Sequence, residues 1–262
     1  LAQITGFGTG TGWTVGASYF GNQASDTPTF GSGTLNLTTG TANRAYRAWF
    51  NTPQTLNGNS WSASFTYRPT TASDPAESVG LAIQSGSNTN PLTLVGGAGG
   101  NRALRAADGN PGVPNTFVFE IIGPNFEIDV TGASASTSTR TNWSGSFSPT
   151  PTASGIAFSS GVAVTVSLDY NQSANTLGVS LAQGANSYSR TLTSAQLGSA
   201  LSAYGSGSVY VGFLGANGGG TNGAVELGSF SFTPIPEPAA ATALGALAAL
   251  SFAACRRRRR VF

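Results

Sequence analysis

The sequence predicts an all-β fold, a two-sheet antiparallel β-sandwich, on three observations. Apolar residues recur with period two in many short runs. Gly, Ser, Thr and Asn fill the breaks between those runs, and only 8% of residues are charged. Helical spacing is confined to one short segment. Period-two runs turn one face of each strand apolar, and such faces are buried when two sheets pack together. A content of 39% hydrophobic and 10% aromatic residues is too apolar for a disordered chain.

Taken in order, strands are expected at 34–37 and 45–50. Next, Trp61, Ala63, Phe65 and Tyr67 alternate with Ser62, Ser64 and Thr66. Further strands are expected at 79–83, 92–95, 117–122 and 126–130. Val162, Val164, Val166, Leu168 and Tyr170 form another, and the polar turn 171–175 leads to Leu177, Val179 and Leu181. Residues 187–192 follow, then Val209, Val211 and Phe213. In 224–232 the apolar phase switches at Gly228, which predicts a β-bulge. The total is about twelve strands. The helical segment is 194–204, with Leu197 and Leu201 four apart and Thr193 or Ser194 as its cap. Trp61, Phe65, Val166, Val179 and Phe232 are the expected core. The loop 96–101 and the Ser/Thr tract 134–139 read as flexible.

Composition excludes several chemistries. The chain contains no His and no Met, and all 12 of its cations are Arg. Hydroxyl or thiol triads of the usual kind need a His base, a phosphate-binding loop needs its Lys, and Cys/His zinc sites need ligands that are absent. The glycines between Gly6 and Gly12 precede Trp13 and a polar turn rather than opening a helix, so they read as a loop. Up to Thr233 there are seven Arg against nine Asp plus Glu, a net charge of −2. The overall +2 therefore belongs to the C-terminus, and no nucleic-acid face is expected in the main domain. The one cysteine, Cys255, leaves that domain without a disulfide. The chain begins at Leu1 rather than Met, as expected after removal of a signal peptide.

Two domains are expected: a sandwich over 1–233 and a tail over 234–262. In the tail, Pro236, Glu237 and Pro238 precede an uncharged run, 239–255, rich in Ala with Leu244, Leu247 and Leu250. As a helix it spans about 26 Å, close to the hydrocarbon core of a bilayer. Arg256, Arg257, Arg258, Arg259 and Arg260 follow, and the positive-inside rule keeps them cytoplasmic, with 1–233 outside. An Ala-rich core helix and a basic nucleic-acid arm are the alternatives. The order of motif, span and Arg cluster resembles the PEP-CTERM sorting signal of Gram-negative and related environmental bacteria. That resemblance implies cleavage near Pro-Glu-Pro by an exosortase and delivery to the cell envelope, cell surface or extracellular matrix.

Three segments of the sandwich resemble the legume-type lectin and broader concanavalin-like jelly roll. They are 74–83 (DPAESVGLAI), 162–181, and 192–197 taken with 208–217 and 227–232. The resemblance implies weak carbohydrate binding. It places Glu77 near the family's acidic sugar ligand, where the family prefers Asp. The sugar-facing loops would be 96–100, including Gly99, and 217–220, with Asn217, Gly218 and Gly219; plain loop tips are the alternative reading. Glu120 matches a metal-binding Glu, but Ile122 stands where the partner Asp belongs and the family's His has no counterpart. The expected site is therefore shallow and metal-free, with no cofactor.

Glu127-Ile-Asp129-Val resembles the start of the Glu-x-Asp-x-x-Glu strand of laminarinase-type glucanases. Retaining hydrolysis needs a second carboxyl about 5–5.5 Å away, and Thr131 and Gly132 stand where the acid/base belongs. The chain is therefore expected not to be an enzyme, with Glu127 and Asp129 exposed on a strand. A non-enzymatic carbohydrate binder is the favoured reading. A purely structural matrix component and a glycan hydrolase are the alternatives.

Overall fold

Period-two runs become strands whose alternate side chains interlock between two sheets. In chain order the strands are Ile4–Thr5 (β1), Trp13–Tyr19 (β2), Asn22–Gln23 (β3), Thr29–Phe30 (β4), Thr34–Thr39 (β5) and Arg44–Phe50 (β6). Gln54–Thr55 (β7), Ser60–Pro69 (β8), Ser78–Ser85 (β9), Thr116–Ile122 (β10), Asn125–Thr131 (β11) and Ser138–Thr141 (β12) follow. Then come Val164–Asn171 (β13), Thr176–Gln183 (β14), Asn186–Leu192 (β15), the helical turn Ser194–Leu197 (α1), Ser208–Asn217 (β16) and Ala224–Ile235 (β17). This computed structural model describes residues 3–235, apart from 20, 21, 24, 57–59, 71–75, 142–149, 198, 206, 221 and 222. The Pro236-Glu237-Pro238 motif, the expected span and the Arg cluster lie outside the described residues. Among the described residues no helix is long and apolar enough to cross a membrane.

The back sheet runs β15-β14-β13-β8-β17-β5-β4, with β1 also on β17. The front sheet runs β12-β11-β10-β9-β16-β6-β2-β3, with β7 also on β16. Back-sheet strands alternate cleanly: Trp61, Ala63, Phe65 and Tyr67 are buried while the residues between them are half-exposed. Facing them from the front sheet are Phe117, Phe119, Val211 and Phe213. Aromatic rings knit the layers, with Phe65 edge-on to Phe213 at 5.2 Å and Trp61 edge-on to Phe117 at 6.1 Å. Trp61, Phe65, Val166, Val179 and Phe232 are all fully buried.

The β8 register shifts between Gly228 and Ser231, and Ser229 adopts a left-handed φ of 49°. The expected bulge is therefore present where the apolar phase changes. In α1 the backbone N–H of Thr193 donates to Gln196 Oε1 at 2.9 Å, so the turn is closed from its N-terminal side. Among the described residues of 194–204, expected as one helical segment, helix covers Ser194–Leu197 and a 3₁₀ turn Ala200–Ser202.

Three expectations need correction. Residues 92–95 form no strand: Pro91–Thr93 is a 3₁₀ turn, because Pro91 supplies no N–H to a ladder. Val162 is 55% exposed and precedes β13. Part of the tract read as flexible, from Ser138 on, is strand β12, paired with β11 from Ile128 to Thr131.

The front sheet differs from the back sheet in one respect that positions the site. Its strands β9 and β10 are buried on both faces. The excursion 86–115 folds back over the outer face and packs Leu94, Val95, Ala103, Leu104 and Val113 on Trp49, Ala82, Val118 and Leu214. Side chains of the sheet hold its backbone: Trp49 Nε1 donates to the Leu94 carbonyl at 3.1 Å and Gln84 Nε2 to that of Pro91 at 2.9 Å.

Candidate functional site

At the edge of that excursion an open concavity of about 300 Å³ forms between three chain segments. Glu77, just before β9, presents its carboxylate to it. One wall is Ala98, Gly99 and Gly100 with Asp108, and the other is Asn43 with Gly218 and Gly219. Glycine lets the backbone approach the Glu77 carboxylate closely on both sides. A β-carbon on Gly99 would lie 3.3 Å from Glu77 Oε2, and one on Gly218 would collide with the same oxygen. Gly99 also has a φ of +54°, a conformation that costs glycine little.

The sequence-predicted residues Glu77, Gly99, Gly218 and Gly219 thus share one concavity. Asn217 is not on its surface. It is fully buried, and its Nδ2 donates to the Thr41 carbonyl at 3.1 Å. It ties the turn carrying Asn43 to β16, and the Asn43 N–H donates to the Gly218 carbonyl at 3.2 Å. Beyond that turn, Arg44 pairs with Asp26 at 3.0 Å and lies 4.3 Å over the Tyr19 ring. Burial pushes the Asp26 carboxyl upward, but hydrogen bonds from Thr41, Arg44 and Thr39 outweigh it and hold the pKa below the ordinary value.

Sequence reasoning missed Asn43, Asp108 and Arg102. Asn43 carries a partial signal, because Asn tolerates the left-handed φ of 53° seen here. Asp108 and Arg102 carry none, because their roles depend on how the excursion folds. Asp108 Oδ2 accepts the Ala98 N–H at 3.3 Å and so braces one wall. Arg102 Nη1 lies 2.5 Å from Glu120 Oε1 and 2.6 Å from Glu127 Oε2.

Glu120 and Glu127 face each other across β10 and β11, with Asp129 on the same face opposite Val118. All three acids are buried, which corrects the exposed placement expected for Glu127 and Asp129. The covering excursion is the reason. Burial pushes the Glu120 carboxyl up to about 8; the Arg102 charge opposes this rise, while Asp129 and Glu127 add to it. Burial lowers the Arg102 pKa, but the Glu120 and Glu127 charges prevail and raise it overall.

A legume lectin domain family model matches residues 118–246. The solved structures similar to this chain include the acidic lectin of winged bean complexed with methyl-α-D-galactose. That likeness has 19% identity and a TM-score of 0.60, over 90% of this chain and 99% of that one. Lectin I-B4 from Griffonia simplicifolia, in a metal-free form, shows 18% identity and a TM-score of 0.59 over 90% and 100% of the two chains. Arcelin-5, a lectin-like defence protein from Phaseolus vulgaris, shows 15% identity and a TM-score of 0.62 over 90% and 99%. No curated protein matches the chain. At these identities the likeness establishes the legume-lectin fold of the sandwich.

The metal pair implied by the lectin resemblance does not fit the residues present. Glu120 is bound to a guanidinium. Ile122 offers no oxygen from its side chain, and β10 and β11 are joined by Gly123 and Pro124 alone, with no loop to add ligands. Among the described residues no group of three or more His, Cys, Asp or Glu is arranged to hold a metal ion.

Proposed function

We propose that the chain is an exported cell-envelope protein that binds carbohydrate weakly in the concavity beside Glu77, and that its Pro-Glu-Pro tail is the substrate of an exosortase. The observation that carries the binding reading is the Glu77 carboxylate held between two glycine backbones at the mouth of an open, polar concavity on a legume-lectin fold. Carboxylate, amide and bare backbone groups supply acceptors and donors for sugar hydroxyls. Glu77 and Asp108 are both acidic and no cation is among the described lining residues, so neutral sugars are favoured over uronates. With no aromatic ring among the described lining residues to stack on a pyranose, affinity should be roughly millimolar to high micromolar. Glu127 is held by Arg102 and Asp129 is fully buried, which supports a binding rather than a hydrolytic role.

A glycan array with the full-length chain, run with calcium and with chelator, tests the reading. Neutral glycans should bind equally in both conditions. Binding confined to uronates, or no binding to any glycan, would reject the site and favour a purely structural matrix component.

A further inference from the structure

We infer that the Arg102 guanidinium serves as a built-in cation that fastens the Gly99 wall of the concavity to the front sheet, in place of the metal pair that the lectin resemblance implies. This concerns the order of the wall, and it holds whatever ligand fills the concavity.

The argument starts from charge. Glu120, Glu127 and Asp129 bring three buried carboxyls to one patch of the outer sheet face, and buried carboxylates need a partner cation or a proton. A single nitrogen, Arg102 Nη1, meets both Glu120 and Glu127. Guanidinium stays protonated at any working pH.

The backbone shows what this contact holds. Arg102 and Ala103 both have φ of 58°, a region that residues other than glycine seldom adopt. Two consecutive residues there need support from outside the local chain. Within the loop itself the Arg102 N–H donates to the Gly99 carbonyl at 2.7 Å and the Ala103 N–H to that of Gly97 at 2.9 Å. The Arg102 side chain anchors this tight loop to β10 through Glu120 and to β11 through Glu127. Gly99 and Gly100, immediately before it, are the wall that faces Glu77.

Hydrogen exchange over 96–105 and the thermal midpoint of the full-length chain test this. Chelator or added calcium should move the wild-type midpoint by less than about 1 °C, because no cation binds the folded state there. Arg102→Met keeps the apolar stem and removes the charge, and should raise exchange in 96–105 at least about tenfold. Since one nitrogen serves both carboxylates, Arg102→Lys should restore protection to within about threefold of wild type. A midpoint lowered several degrees by chelator would overturn the inference, as would Lys and Met variants that exchange alike. If the Met variant fails to fold, the Lys variant decides: wild-type protection upholds the role of charge, and a tenfold loss refutes it. None of these readouts depends on glycan binding, so they stand or fall separately from the proposed function.

Discussion

An added methyl group on Gly218 would meet Glu77 Oε2, the end of a flexible side chain. Gly218→Ala should therefore fold and displace the carboxylate. Glu77→Ala removes the carboxylate outright, at a half-buried position where the fold loses little. Both should weaken a glycan hit about tenfold or more in titration calorimetry, equivalent to about 1.4 kcal/mol, while the melting temperature stays close to wild type. Unchanged affinity in both variants would place the site elsewhere. Glu120 titrates differently in the two states, from an ordinary 4.5 in the unfolded chain to about 8 in the fold. Between those values the folded state keeps a proton that the unfolded chain has released, so the stability present below the lower value is lost as pH rises toward the upper one. Denaturant midpoints should fall between about pH 5 and pH 8, and Glu120→Gln should flatten that slope.

The back-sheet strand β8 pairs with β13 on one side and β17 on the other. Its inward residues therefore sit at the centre of the sandwich. Phe65 is fully buried against Phe213, and Phe65→Ala should cost about 3–5 kcal/mol in urea unfolding, the usual toll of an aromatic deleted from a core. A loss under about 1 kcal/mol would mean that the two layers do not meet there. The excursion 86–115 lies on the outer face as loops and 3₁₀ turns rather than in the ladders, so its exchange should precede that of β8. Much of this element level is legible in the sequence. Alternation located β5, β6, β8 to β11 and β13 to β17 because burial on one face leaves a period-two trace. Two-residue strands such as β1, β3, β4 and β7 leave none. Strand β12 is hidden by its Ser/Thr composition, since its place is set by pairing with β11. The near-continuous apolar runs of β9 and β16 did carry a sign that both faces are covered, but not of what covers them.

For the whole molecule, residues 1–233 should fold alone as a β-sandwich. The far-UV circular dichroism of that fragment should be that of a β protein, and a mostly helical spectrum would reject the fold. In a host that carries the sorting protease, mass spectrometry of envelope material should find a C-terminus near residue 238. Mature protein still ending at Phe262 would reject processing, though not membrane insertion. In the enzyme assay, release of reducing sugar from a β-glucan should be absent. Turnover that disappears in Glu127→Gln would reinstate the hydrolase alternative.

Taken by itself, the sequence determined the all-β class, the core face of the main strands, the bulge at Gly228 and the absence of His- and Lys-dependent chemistry. These are local or compositional properties, written in period, phase and residue type. It also pointed to Glu77, Gly99, Gly218 and Gly219 through a family resemblance, without showing that they meet. Only the tertiary structure decided that meeting, because it depends on the excursion 86–115 returning over a sheet whose outer face the alternation had assigned to solvent. The same return buried Glu120, Glu127 and Asp129 and brought Arg102 to the first two across 18 and 25 residues of chain. Contacts of that kind arise from the long-range packing of an irregular segment, for which a single sequence carries no periodic signal.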